Sequence, residues 1–299
     1  MPRRKKSMLA PRDNVPFLIY ETHDNVCYER HDYRDFISFV ETAPVEWGDC
    51  RDRPAKGDGG GWGDDWDNGD SFEQCKHFAR YGWPQGRDNV QDVSARLPHV
   101  GLMRTGRVSH HHVGARPNVQ QYLKGNPECM VQVTKSRKRP VAHIRVCAVY
   151  HCMVTSTQLA NWCVGLLSLI DSLEGRGLQT SLTAGYPIST DRRTKGSLVW
   201  ELDINVKDPG QPLDLDRMAF VFGHPGMLRR YVLGYMDSHR ERFEALFGHG
   251  HGYPEPELDA QSADIVIDSV QAHLDTANDL ARSVEFFVRA GDVLGDDYR

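Results

Sequence analysis

VAHIRVCAVYHCMV (Val141–Val154) is a nearly continuous apolar run with several β-branched residues. It is too short to span a bilayer, which takes about 20 apolar residues. The pattern is that of a strand covered on both faces. A polar turn follows, and then Leu159, Cys163, Leu166, Ile170 and Leu173 recur at helical spacing. EGRG closes that helix, with Gly177 suited to a left-handed C-terminal cap. LQTSLTA then reads as a second strand.

The rest of the second half keeps this alternation. SLVWELDINV alternates strictly, with Leu198, Trp200, Leu202, Ile204 and Val206 on one side and Glu201, Asp203 and Asn205 on the other. One wet face is implied, hence a strand near the sheet edge or antiparallel to its neighbour. Two short helices broken at Pro225 come next, then the loop FGHGHGYPEPELDAQS. ADIVIDSV (Ala263–Val270) reads as another buried strand, and Thr276 to Arg289 as a final helix. Strands alternating with helices predict a C-terminal three-layer α/β sandwich over residues 136–299, with helices on both faces.

The first half is less regular. Residues 1–16 read as a disordered basic tail, and 17–135 as an α+β region packed on the sandwich. Within it FLIYET (17–22) is a strand and YRDFISFVET (Tyr33–Thr42) a helix. The Gly- and Asp-rich stretch at 56–71 has no core-forming pattern and reads as a loop. Ser71 with Gln74 forms a capping box ahead of the stripe Phe72, Cys75, Phe78 and Ala79. After GWPQG, the spacing of Val90, Val93 and Leu97 predicts a second helix.

A chain of 299 residues is long enough to bury a sizeable core. Its net charge of −5 argues against a general nucleic-acid binder, and PRRKK at the start is the one compact basic run. No membrane span or signal h-region is expected. Seven scattered cysteines without C-x-x-C point to reduced thiols and a cytoplasmic setting.

In open α/β sheets ligands bind beyond the carboxyl ends of the strands. The order of elements, with LLSLIDSLEGRG closing the first helix, resembles the von Willebrand factor A-like domain. That family holds Mg²⁺ or Mn²⁺ with an Asp-x-Ser-x-Ser turn, a later Thr and a later Asp. The corresponding turn here is YHCMVTST, with His151 near the place of the first Asp. Thr155 and Ser156 offer hydroxyls and equally serve as a helix cap, and Asp268 matches the late Asp alone. The resemblance therefore implies a degenerate module whose turn is structural, with no cofactor. The wider pattern SFEQCKHFARYGWPQG, PNVQQYLKGNPECM and LSLIDSLEGRG is similar to an uncharacterised bacteriophage and mobile-element group. That implies a phage setting in the host cytoplasm, and a MoxR-type ATPase as one protein partner.

Two histidine clusters offer a divalent-metal alternative. His110 to His112 lie in SHHHVG, and His249 and His251 lie in HGH with Glu255 and Glu257 nearby. DDWDNGD fails as an EF-hand, because counting from Asp64 puts Trp66 and Cys75 at ligand positions. Trp62 and Trp66 in that loop suit either a partner contact or packing onto the parent domain. The expectation is an interaction or adaptor protein without catalysis. A histidine-based metal-dependent hydrolase or nuclease and a virion component are the alternatives.

Overall fold

The computed structural model describes residues 21–23, 26–44, 50, 70–88, 109–111, 116–117, 124, 126–127, 130–132, 140–190, 198–248, 250–255, 258 and 263–297. The chain is an α/β protein built on a mixed sheet. At its centre β6 (Val141–Cys147) and β7 (Gln179–Ser189) pair in parallel, joined by α3 (Ser156–Gly175). β8 (Val199–Lys207) lies antiparallel to β7. β2 (Val26–Asp32) then pairs in parallel with β8, and β1 (Glu21–His23) edges β2. β10 (Ile265–Ile267) flanks β6 on the other side. Because β2 belongs to this sheet, the expected boundary at 135/136 does not separate two sheets. A second small sheet joins β3 (Ser109–His111), β5 (Met130–Gln132) and β4 (Arg116–Pro117).

The predicted strand at 141–154 is half strand and half turn. Its last ladder bond runs from Ala148 N to Gly185 O, and β10 offers only a short partner. Ala148, Val149, Tyr150 and Val154 stay buried, so their apolarity serves packing rather than pairing. β7 runs on past that point, and β9 (Tyr253–Pro254) takes the vacated edge at Ile188 and Ser189.

The helix signals hold well. α1 (Tyr33–Thr42) and α2 (Phe72–Tyr81) fall where the spacing places them, and the Ser71/Gln74 capping box is formed. α3 opens on a second capping box, Thr155 with Gln158. It ends with Gly177 at φ 93° and a bond from Leu178 N to Leu173 O, which closes the last turn. α4 (Leu215–Gly223) stops before Pro225, and a π-helical turn, Met227–Val232, runs into α5 (Leu233–Asp237). α6 (Arg240–Phe247) is the helix that precedes the HGH segment. α7 (Leu274–Ala277) and α8 (Leu280–Asp297) replace the single final helix, and Phe287 of α8 packs against Trp162 of α3. The helical spacing at Val90 to Leu97 lies outside the described residues.

The two faces of the sheet differ. Even-numbered residues of β6, β7 and β8, from Ala142 to Tyr186 and Trp200, are buried beneath the helices. A β-bulge at Leu182/Thr183 turns Lys207 to that side, where its ammonium meets Glu174 of α3 at 2.9 Å. One carboxylate lies deep in this layer. Glu29 of β2 accepts from Trp200 Nε1 at 2.9 Å, Arg242 Nη2 at 2.7 Å and the Tyr235 hydroxyl, and His31 Nε2 lies 2.8 Å away. Burial alone would raise the Glu29 pKa; the His31 hydrogen bond and the Arg242 charge outweigh it and hold the group near 2, against the usual 4.5. A depressed carboxylate stabilises the fold above its unfolded pKa and loses that contribution as pH falls through the folded value. We therefore expect part of the acid unfolding to fall between pH 4.5 and about 2. Glu29→Gln should remove that part and cost about 3–5 kcal/mol at pH 7, because Arg242 loses this buried carboxylate. Denaturant melts across pH would check both.

Candidate metal centre and sheet-face cavity

The odd-numbered face of the sheet carries charge, as the alternation of SLVWELDINV predicts, yet much of it is buried. Arg145 of β6, Glu201 and Asp203 are each 2–4% exposed. The Arg145 guanidinium reaches Asp203 Oδ1 at 2.7 Å and also binds Glu201. It does so across β7, where Gly185 stands directly opposite Asp203 and has no side chain to block the path. A Cβ on Gly185 would meet Leu258 at 2.6 Å. Arg30 adds a longer contact to Asp203, at 3.4 Å. Burial alone would lower the Arg145 pKa, but hydrogen bonds and charge from Asp203 and Glu201 raise it above the ordinary arginine value.

Beside this row lies a cavity of about 540 Å³. Its walls are His143, Ser181 and Thr183 at the start of β6 and β7, and Asp32, Asn205 and Asp208 at the end of β2 and β8. The cavity thus sits at the opposite ends of β6 and β7 from the turn the sequence singled out. His143 Nδ1 and Ser181 Oγ lie 2.7 Å apart as a cross-strand pair in register.

The turn after β6 is committed to structure. Thr155 Oγ1 accepts from Gln158 N, and Ser156 is the first residue of α3. His151 turns its ring onto its own loop, with Nδ1 3.3 Å from Met153 N and 3.4 Å from Cys152 Sγ. Asp268 follows β10, beside Ser269, whose hydroxyl binds Val149 O. Neither His151 nor Asp268 belongs to a group of three potential ligands among the described residues. Trp62, Trp66, His112, His249 and Glu257 lie outside the described residues, and of His110 only its place in β3 is described. The buried thiols of Cys147 and Cys163 are pushed up by burial, Cys163 to about 12, which makes them inert.

His251 is different. It converges with Asp237, at the end of α5, and with Cys50, and their ligand atoms all lie within 4.8 Å of one another. His249 lies outside the described residues, and the partners described for His251 are two residues distant in sequence, which spacing had no means to reveal. Gly252, at φ 74°, lets the chain turn here, because a Cβ would meet Ile188 and Ser189 O at 2.6 Å. Asp237 is fully buried; its Oδ1 lies 2.5 Å from His251 Nε2, and its Oδ2 accepts from Cys50 N at 3.0 Å. Buried Arg230 donates to Cys50 O at 3.2 Å and to Asp70 O at 3.1 Å. One guanidinium thereby links the backbone at Cys50 to the backbone at Asp70.

Fold and sites define an α/β protein with a self-neutralised charged sheet face and a three-ligand cluster at one margin. Residues 18–292 match a domain of unknown function, DUF7192, and the chain belongs to that family. No curated protein and no solved structure matches it. Among the described residues, no helix is long and apolar enough to cross a membrane.

Replacing Arg145 by Leu should cost about 3–5 kcal/mol, because two buried carboxylates lose their cation. Replacing Arg145, Glu201 and Asp203 together by apolar residues should recover most of that loss. Urea unfolding of both variants is the check.

Proposed function

We propose that the protein is an interaction module without catalysis of its own, and that a polypeptide segment of its partner enters the sheet-face cavity. The observation that carries this reading is the charge arrangement of the cavity. Its arginines, Arg30 and Arg145, already donate to Asp203, and Asp32 and Asp208 add negative charge to the lining. Phosphate is not favoured by such a lining. A segment of low net charge, rich in amide donors and acceptors, matches the mixed hydroxyl, amide and carboxylate walls. The volume falls in the range of about 300–1,000 Å³ typical of ligand sites. The resemblance to phage-encoded proteins and to A-like domains adds a setting, the host cytoplasm, and makes a MoxR-type ATPase the first partner to try.

A photo-reactive residue at Asp208, with the ATPase added, tests the reading. One saturable polypeptide adduct is expected, lost when Thr183→Trp fills the cavity. An absent adduct, or one unaffected by Thr183→Trp, would contradict it.

A further inference from the structure

The geometry points to a Zn²⁺ site formed by Cys50 Sγ, Asp237 Oδ1 and His251 Nε2, independent of the cavity. Two arrangements of such residues must be told apart. A nucleophilic relay uses both ring nitrogens of the histidine, one toward the thiol and one toward the carboxylate. Here the same atom, His251 Nε2, faces both Asp237 Oδ1 at 2.5 Å and Cys50 Sγ at 3.8 Å. The three atoms surround one point instead of forming a chain through the ring. That is the disposition of ligands about an ion.

The distances agree with a tetrahedral centre. Zn–N and Zn–O bonds of about 2.0 Å and a Zn–S bond of about 2.3 Å put neighbouring ligand atoms roughly 3.3–3.6 Å apart. The Cys50–His251 separation is already close to this. The Asp237–His251 contact must open by about 0.8 Å, exchanging a hydrogen bond for two metal bonds. Thiolate, imidazole and carboxylate together favour Zn²⁺ over Mg²⁺ or Ca²⁺, which take oxygen shells.

The surroundings hold the site in place. Cys50 is gripped at its N–H by Asp237 and at its carbonyl by Arg230, which fixes where the thiol starts. Asp237, a wholly buried carboxylate, has one amide and one imidazole as partners, and a cation between them would offset its desolvation. The His251 side chain is 25% exposed, giving the ion a route from solvent and leaving a fourth position for water. On binding, the Cys50 S–H proton passes to solvent and a Zn–S bond forms. If Nε2 carries the ring proton, that proton moves to Nδ1. Binding therefore strengthens as pH rises.

Co²⁺ titration of the full-length, metal-stripped protein tests this, followed by Zn²⁺ displacement. One equivalent of Co²⁺ should give a thiolate-to-cobalt charge-transfer band, which Zn²⁺ abolishes. Cys50→Ser should lose the band, and His251→Gln should weaken Co²⁺ binding more than about 100-fold, beyond the cost of a lost supporting contact. Cys152→Ser, in the separate His151 turn, should leave both unchanged. Circular dichroism of each variant verifies folding, and His251→Gln serves if Cys50→Ser does not fold. No band at saturating Co²⁺, or a band that survives His251→Gln with unchanged affinity, would overturn the site.

Discussion

Arg145 is the interaction on which one whole side of the sheet depends. Taking a guanidinium out of water is costly, and only close carboxylates with good geometry offset it. Asp203 and Glu201 supply them from β8, two strands away, and Gly185 leaves the passage open between. The arrangement ties β6 to β8 across β7 and is compatible with one register only. A slip by one residue would turn Arg145 into the apolar layer under the helices.

The same logic recurs elsewhere in the fold. Glu29 is held by Arg242, His31, Trp200 and Tyr235; Lys207 meets Glu174; Asp237 meets His251. The Glu29–Arg242 pair joins residues 213 apart in sequence, whereas Asp237 and His251 are 14 apart. Apolar burial supplies the bulk of stability but is tolerant of position. These buried polar contacts demand specific partners and so help to select one packing. Two such groups border the candidate sites: Arg145 lines the cavity, and Asp237 anchors the three-ligand cluster.

Local signals were legible in the sequence, and long-range ones were not. α1, α2 and α3 could be read from their periodicity, and the caps at Ser71, Thr155 and Gly177 from residue type. The alternation of β8 gave its two faces correctly, although Glu201 and Asp203 are buried rather than wet. β2 escaped notice because its core side carries Cys27, Glu29 and His31, so hydrophobic alternation is absent. The end of β6 escaped because buried turn residues look like buried strand residues. Of the candidate site, His251 was visible as a metal-type residue. Its partners were not: Cys50 and Asp237 lie 187 residues apart in the chain. The Thr155 hydroxyl at the strand end caps α3, a role its residue type allows.

Hydrogen exchange at the Arg145 guanidinium tests the central claim most directly, because exposed arginine side chains exchange quickly and locked, buried ones do not. Nitrogen-15 NMR with an Arg145→Lys variant for assignment gives the reading. The account predicts one Arg Nε–H, absent in the variant, that exchanges far more slowly than those of exposed arginines. It also predicts that the signal shifts when Asp203→Asn is introduced. An Arg145 Nε–H exchanging at the exposed rate would contradict the account, since the sheet face would then be open to water and the register held by other means.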